Sequence, residues 1–327
     1  MSTPSITPVP RPDVVAPPGR HASPRSGRGR HDDVFRRQQA RLGWGLSSPA
    51  LVLIGLVTIF PIGYAIAMSV SNVQATGNGF SLSGFTGGNY SIIFHAAQWR
   101  YALFFTIFYT VVTVAVEVAI GTAIALVLER LTAGRGWMMA LLLIPWSMVT
   151  VINAQLWAYI YNPTYGVLDN IFSHIGLGTP VVLGTRVPAI AALMVADIWK
   201  TTPFVAIIVL AGLVMIPRDY YEAAEVDGAN GWTTFWRITF PQLRPTIALA
   251  VLFRVLQAFG LFDLPFVLTS GGPGYSTQPL AILAYNAMFR DLDFGPGAAV
   301  ATSTALLVVI GCLVFLKAFR SQAGSEA

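Results

Sequence analysis

Residues 221–229 read Tyr-Glu-Ala-Ala-Glu-Val-Asp-Gly-Ala, and the segment they open closes with Phe240-Pro241 and Arg244-Pro245. It is a polar, charge-bearing island between two long apolar runs. Pro217 halts the run before it, because proline has no amide hydrogen and its ring crowds the preceding helical turn. Asp219 to Glu225 reads as a helix with acids in its first turns, where the helix dipole favours negative charge. Gly228 suits a left-handed turn. Trp232, Phe235, Trp236, Ile238 and Phe240 then recur at spacings that give a second helix an apolar face, which Pro241 should end. A helix–Gly–helix hairpin rich in aromatics fits insertion into a partner's groove. The same pattern also fits a helix lying on a membrane with its Trp residues at headgroup level.

Outside the island the chain is strongly apolar. Its 327 residues are 54% hydrophobic and 11% charged, against about 25% charged in soluble domains. Six apolar stretches approach the ~20 residues that cross ~30 Å of hydrocarbon. They are residues 46–70, 103–128, 137–159, 188–214, 247–268 and 298–319. The fold class expected is therefore all-α, a polytopic membrane protein with six transmembrane helices. Residues 1–42, rich in Pro, Arg, Ser and Gly, read as a disordered basic tail. Residues 43–96 hold the first span and a short outer loop. Residues 97–320 form the core with its loop at 217–244, and 321–327 form a second tail.

Basic residues set the orientation, since loops rich in Lys and Arg stay cytoplasmic. With the N-terminus inside, inner segments hold fifteen of the twenty basic residues, and outer loops hold three: Arg100, Arg186 and Arg290. Both termini and the island are thus expected on the cytoplasmic side of a bacterial plasma membrane. This distribution also explains the net charge of +5 without nucleic acid as a partner. The first apolar stretch starts too late and runs too long for a secretory signal, so it should be retained as a helix.

Several chemistries have no residues to carry them. A phosphate-binding loop needs Gly-Lys-Ser/Thr, and neither lysine, Lys200 or Lys317, follows a glycine. His21, His31, His95 and His174 are scattered, so no metal is expected. The single cysteine, Cys312, allows no internal disulfide. A membrane enzyme would draw on outer-loop residues such as His95, Arg100, Asp169, His174, Arg186, Arg290, Asp291 and Asp293, and no pair among them has catalytic spacing.

Polar groups inside the spans are costly and mark pathways or buried pairs. Asp197 and Lys200, three apart and hence on one helix face, fall near mid-membrane in the fourth span, and Arg254 falls near mid-membrane in the fifth. They read either as an ion-pair network bracing helices or as groups lining a solute path, with Gln257 beside Arg254. Asn153 and Trp157, four apart in the third span, offer an amide and an aromatic plane that suit a sugar. Polar bonding between helices is the other reading of that pair. Glu117 suits a helix interface, and Asp263, nearer the outer end, a gate or hinge contact.

The ordered series of motifs resembles a known family. Phe60-Pro61-Ile62-Gly63-Tyr64, Gly87-Gly88-Asn89-Tyr90, Ile144-Pro145-Trp146, Tyr161-Asn162-Pro163-Thr164-Tyr165-Gly166, Ile198-Trp199-Lys200-Thr201-Thr202-Pro203-Phe204 and Leu268-Thr269-Ser270-Gly271-Gly272-Pro273-Gly274 accompany the Glu-Ala-Ala segment. Together they resemble the larger permease subunit of binding-protein-dependent carbohydrate ABC importers, of the maltose, trehalose and glycerol-phosphate type. The segment between Val70 and Leu103 is too short for the extra folded domain that some maltose-type subunits carry there.

The resemblance implies a type I ABC importer permease fold in which this chain forms half of the translocation path. It implies an ATPase-coupling set at Tyr221, Glu222, Ala223, Ala224, Asp227, Gly228, Ala229, Phe235 and Pro241. Asn153, Trp157, Asp197, Lys200, Arg254, Gln257 and Asp263 become the residues expected along the solute path. The partners implied are a second permease subunit, a dimer of ATP-binding subunits that holds Mg-ATP, an extracytoplasmic sugar-binding protein and membrane lipid. No cofactor is expected on this chain. The solute implied is a di- or oligosaccharide such as trehalose or maltose. A self-contained secondary transporter, or a permease for glycerol phosphate, is the alternative.

Overall fold

Apolar run length accounts for most of the helices in the computed structural model, which describes residues 28–77, 79–174 and 181–323. Among the described residues four helices are long and apolar enough to cross a membrane: α1 (Arg28–Ser69, apolar from Trp44), α3 (Ala97–Arg130), α7 (Arg186–Val214) and α13 (Phe294–Ala323, apolar to Lys317). The bent pair α4 (Arg135–Ser147) and α5 (Thr150–Ile160), whose axes differ by 89°, is together apolar enough to form either a broken fifth span or a re-entrant segment. The remaining helices are α2 (Gly88–His95), α6 (Val167–His174), α8 (Asp219–Val226), α9 (Gly231–Thr234), α10 (Phe240–Phe259), α11 (Asp263–Leu268) and α12 (Leu280–Phe289). The backbone divides into two units at Phe60/Pro61, inside α1.

Four sequence expectations need correction. The third span is not one straight helix over residues 137–159. Pro145 removes a helical hydrogen bond, β-branched Val149 and Thr150 follow, and Met148 and Val149 adopt extended conformations that turn the chain. The fifth span does not run from 247 to 268: α10 starts at Phe240 and stops at Phe259, and a separate α11 begins at Asp263. Pro241 does not end the second helix of the island. A five-residue π-helical stretch, Phe235–Thr239, feeds straight into α10, and the chain stays helical through Pro241. Part of the expected disordered tail is helical, since α1 begins at Arg28; residues 30–42 contain neither Pro nor Gly and are rich in Arg and Gln, both favoured in helices. Residues 1–27 and 324–327 lie outside the described residues.

The helical architecture has one local addition, a two-stranded antiparallel hairpin of β1 (Ser71–Thr76) and β2 (Gly79–Phe85), with Val73 opposite Leu82. Its sequence signal is the alternation of Phe80 and Leu82 with Ser81 and Ser83. The Gly-Gly-Asn-Tyr motif fastens this region. Asn89 Nδ2 donates to the carbonyls of Ser69 (3.0 Å) and Ser71 (2.9 Å), and Tyr90 shares a hydrogen bond with Ser69 at 2.9 Å. Gly295 at the start of α13 lies against the Asn89 amide, which a side chain at 295 would meet at 2.9 Å.

Helices α3 and α7 make the most extensive packed pair and carry the core. Toward their C-terminal ends, Ala125, Leu128, Val205, Val209 and Leu213 pack with Leu243 and Ala250 of α10. Toward the other end, Phe105 and Tyr109 of α3 meet Ala154 of α5, Leu193 of α7 and Leu264 of α11. Two glycines let the backbones close up, as small residues do in membrane helix pairs. A Cβ on Gly121 would lie 2.9 Å from Val205, and one on Gly212 would lie 2.6 Å from Thr246.

Candidate functional site

Two regions carry the chemistry: a buried charged layer where α3, α7 and α10 meet, and the hairpin that joins α7 to α10. In the layer, Arg254 Nη2 donates to Glu117 Oε1 at 2.8 Å while its Nε donates to Oε2. The same Nη2 reaches Asp197 Oδ2 at 3.3 Å, and Nη1 donates to Gln257 Oε1 at 2.9 Å. Thr201 Oγ1 lies 2.7 Å from Glu117 Oε1. Glu117 is 0%, Arg254 2% and Asp197 6% exposed, so these charges are removed from solvent and depend on one another.

Lys200 is half-buried and makes no hydrogen bond or ion pair with another described residue, although the fields of Asp197 and Asp263 act on it. Counting it, the layer holds two acids and two bases. Gln257 and Asp263 are exposed, and Asp263 opens α11. Asp197 is thus tied to Arg254 and leaves the Lys200 ammonium open to other partners.

Asn153 and Trp157 lie on α5, the second half of the bent pair. Asn153 is fully buried, yet neither Nδ2 nor Oδ1 has a hydrogen-bond partner, and Trp157 Nε1 has none either. An unsatisfied buried polar group costs roughly 1–3 kcal/mol. The Trp157 ring stands edge-on to Trp199 of α7, centroids 5.8 Å apart.

In the hairpin, Gly228 takes the left-handed conformation (φ +71°), and Ala229 N donates to Ala224 O at 2.9 Å to close α8. Asn230 caps α9, its Oδ1 accepting from Thr233 N at 2.9 Å. Two members of the expected coupling set face the body: Ala224 is 6% exposed, and the Tyr221 hydroxyl lies 3.2 Å from Thr239 Oγ1. Glu222, Ala223, Asp227 and Gly228 face outward, and Ala229 is half-buried. Phe235 packs on Trp236, centroids 5.1 Å apart. Pro241 is in the first turn of α10, where it shapes the exit of the hairpin.

Sequence reading missed Thr201 as a member of the layer and Trp199 as the ring that meets Trp157. Thr201 lies four residues after Asp197, and that spacing was the available signal. It also left open whom Arg254 serves; the partner, Glu117, is 137 residues away, and no local pattern encodes that pairing.

Fold and site together define a multi-pass helical membrane subunit with a polar layer in its core and a helical hairpin exposed at one end. The chain belongs to the binding-protein-dependent transport system inner membrane component family, whose model matches residues 45–320. It is 36% identical over 287 residues to the trehalose/maltose transport system permease protein of Thermococcus litoralis, covering 88% of this chain and 96% of that one. It is also 36% identical over 289 residues to the trehalose transport system permease protein of Mycobacterium tuberculosis, covering 88% and 92%. In fold it is similar to a chain of a bacterial alginate ABC transporter solved in complex with an alginate pentasaccharide-bound periplasmic protein. That match has a TM-score of 0.74 at 20% identity, with 86% and 94% coverage.

Proposed function

We propose that this chain is the membrane subunit of an ATP-driven sugar importer, taking a disaccharide of the trehalose or maltose kind. The observation that carries the coupling half of this reading is the division of labour in the hairpin. Tyr221 and Ala224 hold it to the body while Glu222, Ala223, Asp227 and Gly228 are presented outward. A separate ATPase receives that outward face in a helix-in-groove contact and binds Mg-ATP, and its movement reaches the polar layer through α7 and α10, which the hairpin joins. The substrate half rests on the two relatives that transport trehalose and on the unpartnered Asn153 and Trp157.

Both termini and the hairpin lie on the cytoplasmic side, as the distribution of basic residues favours. One chain supplies half of the path, so a second permease subunit, two ATPase subunits and an extracytoplasmic sugar-binding protein complete the assembly. Lys200, Asp197, Gln257, Asp263 and Trp157 line the path, Arg254 holds Asp197 and Gln257 in place, and the fully buried Asn153 meets the solute only when α5 moves. Labelled trehalose uptake into vesicles, with each component omitted in turn, tests this. Uptake should need ATP, the ATPase and the binding protein; gradient-driven uptake by this chain alone would overturn it.

A further inference from the structure

Helix α4 packs chiefly on α7 and leaves a gap beside α3. The gap is a groove of about 550 Å³ in which every lining residue is apolar. Ile120, Ala123 and Val127 of α3 line one wall, and Met138 and Leu142 of α4 line the other. All but Leu142 of these are exposed, so the groove is open from the side.

Each wall ends on an arginine. Arg130 follows Val127 by three residues, and Arg135 precedes Met138 by three, so each continues the helix face that lines the groove. Both lie beside the corner at residues 131–134 that joins α3 to α4. Arg130 is exposed and Arg135 half-buried, and neither side chain makes a hydrogen bond or ion pair with a described residue. Nothing negative shares their face. Glu129 falls about 100° round α3 from Arg130, and the first turn of α4 holds no acid. Trp137, beside them in that turn, is 81% exposed, as aromatic rings are at headgroup depth.

From Ala119 to Arg130 the helix rises ~16 Å, about half of the ~30 Å of hydrocarbon in a bilayer. Apolar throughout and ended by two cations, the groove matches one lipid leaflet in length and in order of polarity.

We infer that the groove between α3 and α4 binds one anionic phospholipid, its acyl chain along Ile120, Val127 and Met138 and its phosphate between Arg130 and Arg135. Charge complementarity commits it to an anionic lipid, because basic pockets between membrane helices select such headgroups. An apolar helix of another subunit would fill the groove and give neither arginine an anion. Under the orientation proposed above the lipid belongs to the cytoplasmic leaflet, and its retention is measured without any transport step.

The test uses the whole transporter, with partner permease and ATPase, in nanodiscs of equal phosphatidylglycerol and phosphatidylcholine. Native mass spectrometry of the released complex reads the lipid that stays bound. Each variant is compared with the unaltered complex, since the other subunits hold lipid of their own. Joint Arg130→Gln and Arg135→Gln should lower the phosphatidylglycerol lost from that comparison's extra bound molecule by roughly tenfold or more in occupancy. Joint Arg130→Lys and Arg135→Lys should keep most of it. Ala123→Trp, at an exposed position, should fill the groove and displace the lipid with the subunits still assembled.

Unchanged phosphatidylglycerol in the double Gln variant would overturn the inference. Loss in that variant with full retention in Ala123→Trp would overturn it too, leaving a phosphate contact that does not use the groove. Release of the second permease by Ala123→Trp, with lipid retained, would assign the groove to a subunit interface instead.

Discussion

Arg254 on α10 grips Glu117 on α3 with two nitrogens, Nε and Nη2, against both carboxylate oxygens. This fork-to-fork pair is the strongest arrangement a guanidinium and a carboxylate can adopt, and it sits where neither group is exposed. Asp197 takes only the edge of the same guanidinium, at 3.3 Å.

The two acids should therefore fail differently. Glu117→Ala leaves a buried arginine without its main partner and should destabilise the protein by about 3–5 kcal/mol. Asp197→Asn removes the charge behind a longer contact while Arg254 keeps Glu117, so assembly should survive and sugar transport should change. Thermal unfolding of the purified chain, set beside vesicle uptake, separates the two; equal loss of stability in both would contradict this assignment.

Asn153 offers a clean separation of stability from function. Its amide is buried and unpartnered, so Asn153→Leu should leave stability unchanged or raise it by about 1–2 kcal/mol, while sugar uptake falls. Trp157→Ala should also lower uptake and keep ATPase attachment. Pull-down of the ATPase and a melting curve check both variants; wild-type uptake and selectivity in both would place the path elsewhere.

The first, second, fourth and sixth of the expected spans were legible because run length and apolar composition are local properties. The left-handed turn at Gly228 was legible for the same reason, since one residue type supplies it. The 89° bend at Met148–Val149 was not, because hydropathy continues unbroken through Pro145 while the backbone direction changes. The π-helical stretch at Phe235–Thr239 was hidden likewise: it alters hydrogen bonding without altering composition. At the site, Asp197 and Lys200 could be placed on one face from their spacing. The preference of Arg254 for Glu117 depends on how α3 and α10 cross, which no single stretch records.

Close approach of α7 and α10 depends on Gly212, where a Cβ would lie 2.6 Å from Thr246 Oγ1. Gly212→Val should push the helices apart and lower stability by about 1–3 kcal/mol, loosening the link between hairpin and polar layer. Thr246→Ala should recover part of the loss, because it removes the nearest atom; an unchanged melting temperature in the single variant would refute the contact.

Coupling through the hairpin is tested most directly by ATP-driven sugar uptake in complexes carrying Glu222→Lys or Gly228→Asp, measured beside ATPase attachment and membrane insertion. Both residues are exposed, so neither substitution disturbs the core, and Gly228 needs a φ of +71° that side chains resist. The expected result is uptake abolished or the ATPase released, with insertion of the chain intact. Normal uptake with full ATPase stimulation in both variants would contradict the account.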